Sequence, residues 1–167
     1  AHVVEVAVLD LSVHGFPHVE VVTDYRVTFV EGVNSHSARV LRRPSGADAP
    51  DLAVLGIEPF PGMPFVQGFR SDVTPAADGD RVMMLGFPYR TFRVYEGVVT
   101  RWRSPDGHDY LMFDRPVHPG ASGSPLVDPT GAIVGIAKGR LENPDTGEPI
   151  ESGGISIPIG DVRSVWP

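Results

Sequence analysis

Cysteine is missing from all 167 residues. Its absence excludes a thiolate nucleophile, thiolate-bound zinc and disulfide stapling, and leaves the redox compartment open, because a chain without thiols tolerates either side of a membrane. Lysine is nearly missing: thirteen arginines and one lysine, Lys138, are scattered along a chain of net charge −7. No basic stripe exists to neutralise phosphates, so nucleic acid is not an expected partner. Nor does any apolar run approach the roughly 20 residues that cross a bilayer, and no membrane span is expected. A sustained helical apolar period is also lacking, except in the last few residues.

What the chain does have points to strands. Hydrophobic residues make up 41%, enough to bury a core, and they fall in short runs rich in Val and Ile among 19 Gly and 17 Pro. That combination reads as many short strands joined by tight turns. Strands are expected near Val3–Leu9, Val19–Thr23, Tyr25–Val30, Ser37–Arg42 and Leu52–Ile57. A second series follows near Arg81–Phe87, Thr91–Arg103, Tyr110–Phe113, Pro125–Asp128, Ala132–Ala137 and Gly154–Ile159. Tyr25-Arg26-Val27-Thr28-Phe29 alternates as a strand with one buried face does. Glu31-Gly32, Pro105-Asp106-Gly107 and Asp128-Pro129-Thr130-Gly131 supply turn chemistry. Glu58–Asp80, with Pro59, Pro61, Pro64 and Pro75, holds little strand pattern. It reads as the region connecting two all-β lobes, or else as a long surface loop within one sandwich. Leu141–Ser152 reads as a polar loop, and Asp161–Trp166 as a short terminal helix.

The most informative stretch is His118-Pro119-Gly120-Ala121-Ser122-Gly123-Ser124-Pro125-Leu126-Val127. Acyl transfer from a peptide needs a nucleophilic oxygen and backbone N–H donors aimed at the developing oxyanion. A glycine two residues before a serine lets the backbone turn so that two N–H groups reach one spot. Gly120 and Ser122 are the expected donors and Ser122 the expected nucleophile; Gly123 permits close packing behind it. A tight turn and a second strand, Ala132-Ile133-Val134-Gly135-Ile136, follow. A Gly/Ser-rich hairpin without chemistry is the bland alternative. The α/β-hydrolase elbow fits poorly, because it needs Gly where Ser124 stands and a strand-to-helix setting that is absent.

On these residues the sequence resembles the trypsin-like peptidases, particularly the cysteine-free bacterial HtrA-type protease domain. Ala1-His2-Val3-Val4 is similar to the end of the family's histidine motif, and Asp51-Leu52-Ala53-Val54-Leu55 to its aspartate segment. Gly79-Asp80-Arg81-Val82 through Gly86-Phe87-Pro88, then Glu96-Gly97-Val98-Val99, resemble the first strands of the family's second barrel. Gly154-Ile155-Ser156-Ile157-Pro158-Ile159 resembles its closing strand. The resemblance implies an all-β chain of two antiparallel six-stranded β-barrels, the first incomplete at its N-terminus. Residues 1–60 would form the N-terminal barrel, 61–78 the connection, and 79–167 the C-terminal barrel with a short terminal helix. It further implies a serine endopeptidase with His2 as general base, Asp51 as the orienting carboxylate and Ser122 as nucleophile. Asp48 is the competing aspartate.

By the same resemblance, Ala137, Lys138 and Gly139 face Gly154, Ile155 and Ser156 across the primary specificity pocket, with Pro116 and Val117 at its base. That base offers no carboxylate, so a small or medium apolar residue is expected before the scissile bond. Glutamyl endopeptidases, which share the serine at 124, place a histidine where Ala137 stands. A peptide or protein substrate is the implied partner and an extracytoplasmic setting the favoured one; the oligomeric state is open. The family has two or more strands before its histidine, so the sequence reads as an N-terminally shortened version of a longer enzyme, with low activity expected if it begins here. His14 and His18, four apart, would ligate a metal only on a helix, which Gly15 and Pro17 oppose. No metal site and no cofactor are expected. His36 and His108 sit in polar turn-like settings, and His118, beside the oxyanion loop, is expected to serve a structural hydrogen bond, with contact to substrate as the alternative. Two other readings use the same residues: a non-catalytic binding module on the same fold, or an esterase acting through Ser122.

Overall fold

A computed structural model of the chain describes residues 2–6, 24–28, 35–46, 49–63, 76–104, 107–143 and 145–165. The expected strand Val19–Thr23, the His14/His18 pair and Asp48 lie outside these residues. The chain divides into two compact units, Ala1–Arg43 with Ala53–Pro64, and Pro44–Leu52 with Phe65–Pro167. The short segment that carries Asp51 thus makes its contacts with the second unit.

In the first unit, β1 (His2–Val6), β2 (Asp24–Thr28), β3 (Ser35–Arg42) and β4 (Val54–Ile57) form a four-stranded antiparallel sheet in chain order. Its register places His2 opposite Thr28, Tyr25 opposite Ala38 and Val40 opposite Leu55. The alternation read in Tyr25–Phe29 is visible at Val27, which is buried between half-buried or exposed neighbours. Thr28 Oγ1 and Ser35 Oγ share a 2.8 Å hydrogen bond across the β2–β3 ladder, and the His36 ring stacks on Phe60 at 4.1 Å. The six-stranded barrel expected for this part is not seen among the described residues; a four-stranded sheet is.

The second unit contains a closed antiparallel barrel. Its strands are β5 (Arg81–Gly86), β6 (Arg93–Arg103), β7 (Asp109–Phe113), β8 (Pro125–Val127), β9 (Ile133–Glu142) and β10 (Pro149–Pro158), joined in the order β10-β7-β6-β5-β8-β9. Period-two burial explains the closure. Val82 and Met84 of β5, Leu111 and Phe113 of β7, and Leu126 of β8 meet in one interior cluster with Val99, Val117, Ala121, Val134 and Ala137. The apolar residues that β5 turns outward, Met83 and Leu85, are not left to water. They pack with Val127, Ile133 and Ile136 against Ile159 and Val162 of the terminal helix α1 (Ile159–Val165). The helix therefore covers an outer barrel face that would otherwise expose a large apolar patch.

Two boundaries depart from expectation. β9 runs on to Glu142 and β10 starts at Pro149, so the polar loop expected over Leu141–Ser152 shrinks to residues 143–148. Pro149 pairs with Glu142. The turn closes through Asn143 N–H to Glu148 O and Gly147 N–H to Asn143 O, both 2.8 Å, while Asn143 Oδ1 accepts the Asp145 N–H. Much of this hairpin is exposed or half-buried, so its residues carry no apolar alternation to betray the strands. The helix begins at Ile159 rather than Asp161, because the alternating Ile155, Ile157 and Ile159 read as one strand. Pro158 ends the strand, and Ile159 packs as the first helical turn. No helix among the described residues is long and apolar enough to cross a membrane.

Candidate active site

The segment from His118 to Ser124 is a chain of tight turns between the barrel and β8. Ala121 N–H donates to His118 O at 2.9 Å, Ser124 N–H to Ala121 O at 3.1 Å, and Gly123 N–H to Ala137 O at 2.7 Å. In return Ala137 N–H donates to Ser124 O at 2.8 Å, which ties the turn to β9. Gly120 (φ +88) and Gly123 (φ +86) both occupy the left-handed region, so the two glycines flanking Ser122 are what the backbone demands there. Ala121 is fully buried, whereas Gly120 and Ser122 stand exposed. Three of the amides in this turn are taken by carbonyls. Among the described residues, the N–H groups of Gly120 and Ser122 have no acceptor.

A neighbouring turn fixes one of those free amides. Tyr89 N–H donates to Pro119 O at 3.0 Å. A trans peptide carries its C=O and N–H on opposite edges, so a Pro119 carbonyl held toward Tyr89 sends the Gly120 N–H the other way. Tyr89 (φ 52) and the following Arg90 (φ 65) are the only non-glycine residues at positive φ among those described. They belong to a short 3-10 turn, Pro88–Arg90. Holding two such side chains there costs conformational energy, and the turn they make is what carries the Tyr89 amide to Pro119. Nothing in the local sequence marks the left-handed pair that follows Pro88.

Among the described residues His118 makes ring contacts and not the expected side-chain hydrogen bond. Its imidazole packs against Tyr89 at 5.7 Å and Tyr95 at 6.1 Å. His108 lies in the β6–β7 turn, where its N–H and C=O both bond with Ser104. Among the described residues no group of three or more His, Asp or Glu side chains is placed to hold a metal.

The residues assigned to the specificity pocket lie on adjoining strands. Ile155 of β10 pairs with Gly139 of β9 and Ser156 with Ala137, leaving Lys138 as an extra residue in a β-bulge. Gly154 is packed so tightly that a Cβ on it would run into the Arg115 carbonyl and lie 3.1 Å from Val117 Cγ2. Val117, Ala137 and Ser156 are buried, and Pro116, Lys138, Gly139 and Ile155 are half-buried. The Ser156 hydroxyl is wholly buried, opposite Leu111 and Ala137, and finds no hydrogen-bond partner among the described residues. An orphaned buried hydroxyl costs on the order of 1–3 kcal/mol. Ser156→Ala is therefore expected to raise stability by about 1 kcal/mol in urea unfolding; a loss of that size instead would mean the hydroxyl is engaged.

His2 is the first residue of β1 and belongs to the first unit, while Asp51 and Ser122 belong to the second. Asp51 is exposed, and its Oδ2 lies 3.8 Å from Lys138 Nζ. The carboxyl of Asp161, on α1, has its pKa raised, first by partial withdrawal from water and then by the charge of Asp109, with His108 pulling the other way.

A family profile described as a trypsin-like peptidase domain matches residues 1–136. The chain belongs to the trypsin-like peptidases. Among curated proteins, this peptidase domain is 31% identical over 115 residues to the serine endoprotease DegS of Salmonella typhimurium (strain 14028s / SGSC 2262), covering 65% of the chain and 32% of DegS. It thus spans about a third of that relative's length. Among solved structures, the Rv3671c protease of M. tuberculosis in its active form superposes with a TM-score of 0.60 at 25% identity, over 85% of this chain and 61% of that one. The HtrA-type protease AlgW, solved with a decapeptide, shares the fold at a TM-score of 0.66 and 24% identity, over 84% of this chain and 42% of its own.

Proposed function

We propose that this trypsin-like peptidase domain hydrolyses peptide bonds within polypeptides through an acyl-enzyme on Ser122. The observation that carries the reading is the unequal use of amides in the Gly120–Ser124 turn. Ala121, Gly123 and Ser124 spend theirs on holding the turn, while those of Gly120 and Ser122 have no acceptor among the described residues, beside the exposed Ser122. Two unspent donors next to a nucleophile are what a tetrahedral oxyanion needs, and they cost no reorganisation when the charge develops.

In this mechanism Ser122 Oγ attacks the carbonyl carbon of the scissile bond as its proton passes to the His2 imidazole. The negative charge moves onto the carbonyl oxygen, which accepts hydrogen bonds from the Gly120 and Ser122 amides. The imidazolium, steadied by Asp51, then protonates the leaving nitrogen, the C–N bond breaks, and an ester to Ser122 remains. Water, deprotonated by the same imidazole, attacks the ester and restores the hydroxyl. The direct test is labelling by a fluorophosphonate probe, which forms a covalent phosphonyl ester only with an activated serine. Turnover of a peptide against its matching ester then separates endopeptidase from esterase.

The residue before the scissile bond is proposed to be small or medium and apolar. Val117 is buried beside Gly154, and neither Pro116 nor Val117 offers the carboxylate that an Arg or Lys side chain requires. Digestion of a mixed peptide library should give cleavage mainly after Ala, Val, Leu or similar residues. Cleavage chiefly after Arg or Glu would overturn this preference. An extracytoplasmic setting is part of the same proposal; the chain, without thiols, is compatible with it as it is with a reducing compartment.

A further inference from the structure

We infer that Lys138 is a positioning residue that acts through Asp51, its ammonium holding that carboxylate against the outside of the C-terminal barrel. The inference rests on the triad reading of Asp51 given above. Three features of this chain point to it.

The first is where the side chain goes. Lys138 is the residue left over in the β9–β10 bulge, between the Ala137–Ser156 and Gly139–Ile155 pairs. It follows Ala137 along β9, and successive side chains of a strand point to opposite faces. Ala137 points into the core, where it is 1% exposed. The Lys138 ammonium instead reaches Tyr110, 3.3 Å from its hydroxyl and 5.3 Å from the centre of its ring. Tyr110 precedes the buried Leu111 on β7 and so faces out of the barrel. The cation therefore sits on the outer face.

The second is what it meets there. A cavity of about 490 Å³ is lined by Asp51, His108, Asp109, Tyr110, Lys138 and Asp161, among others. Lys138 is the one lysine or arginine in that lining, among three carboxylates, and its ion pair is with Asp51. It is also the one lysine in the chain.

The third is that the pair does little for folding. The Asp51 side chain is 74% exposed, and exposed ion pairs add little stability. What the contact does is restrict a carboxylate whose backbone segment, Pro44–Leu52, joins the second unit while the residues on both sides belong to the first. A flexible aspartate on such a segment samples many directions; a cation anchored at two points on Tyr110 selects one. A wall residue of the specificity pocket would act on substrate binding. A residue acting through Asp51 would act on the chemical step, because the carboxylate's partner is charged only there.

The test is a double-mutant cycle on the full-length protein, read as separate kcat and KM values with circular dichroism to verify folding. Lys138→Met keeps the stem and removes the charge. It is expected to lower kcat about 5- to 20-fold with KM changed less than twofold, and Lys138→Arg is expected to recover most of that loss. Asp51→Asn should lower kcat by roughly 10³-fold or more. Adding Lys138→Met to it should cost less than a further twofold, since the partner through which Lys138 acts is already gone. A rise in KM with a changed residue preference at unaltered kcat would make Lys138 a wall residue and overturn the inference. So would a silent Lys138→Met, or losses that multiply in the double variant, while a damaging Asp51→Asn left the triad reading standing. A harmless Asp51→Asn would remove the triad reading, and the inference with it.

Discussion

Ser122→Ala should abolish peptide hydrolysis and covalent labelling while leaving the fold as it is. The expected loss in kcat is on the order of 10⁴- to 10⁶-fold, the range seen when a serine nucleophile is removed from a triad. The fall stops short of the uncatalysed rate, because free amides and substrate binding still favour attack by water. Stability should change by no more than about 0.5 kcal/mol, as is usual for exposed positions outside any network. The structure supports that separation. Ser122 is exposed, and the bonds that shape its turn come from the backbones of Ala121, Gly123, Ser124 and Ala137. None of them uses the Ser122 hydroxyl. Measuring fluorophosphonate incorporation, peptide turnover and thermal unfolding on the same preparation decides the matter. Equal labelling of wild type and Ser122→Ala would place the nucleophile elsewhere and end the serine-peptidase mechanism proposed for this turn.

How much of this was legible in the sequence depends on the range of the interactions involved. The Ser122 turn was read from Gly120, Ser122, Gly123 and Pro125 because its geometry is local: positive φ at two glycines and a strand starting at Pro125 are requirements of neighbouring residues. The barrel strands were legible for a similar reason, since β5 and β7 alternate buried and exposed side chains as their sequences do. The β9–β10 hairpin was not. Its polar outer half is held by backbone bonds and an asparagine-capped turn, which leave no hydrophobic signature. The Tyr89 amide bound to Pro119 joins residues thirty apart, and no motif marks a tyrosine for the left-handed region. The Lys138 contact with Asp51 joins residues far apart in the chain, and no local pattern marks it. Resemblance alone placed Lys138 in a pocket wall; only the position of its ammonium raises another role.

Gly120→Ala should separate the oxyanion donors from the nucleophile. At φ +88 an L side chain is strained by about 1–2 kcal/mol, and here the strain has nowhere to relax. A Cβ on Gly120 would lie 2.9 Å from the Phe87 carbonyl oxygen and 3.4 Å from the Tyr89 nitrogen. Both atoms are backbone, in the very turn whose Tyr89 N–H holds the Pro119 carbonyl at 3.0 Å. Either turn can retreat only by weakening that bond, and a Pro119–Gly120 peptide no longer held is free to rotate its N–H away from the oxyanion. Losing one such donor costs roughly 10²- to 10³-fold in kcat. The loss should fall on kcat with KM changed little, because the donor is needed where charge develops and not where the ground-state carbonyl rests. Fluorophosphonate labelling, which also passes through an oxyanion-like adduct, should slow in parallel, yet Ser122 should still be the residue labelled. A Gly120→Ala protein that keeps more than half its kcat would show that the Gly120 amide is not a donor, whatever Ser122 does. A protein that still unfolds cooperatively, at a midpoint lowered by no more than that strain, while losing turnover would tie the free amide to the chemistry rather than to the fold.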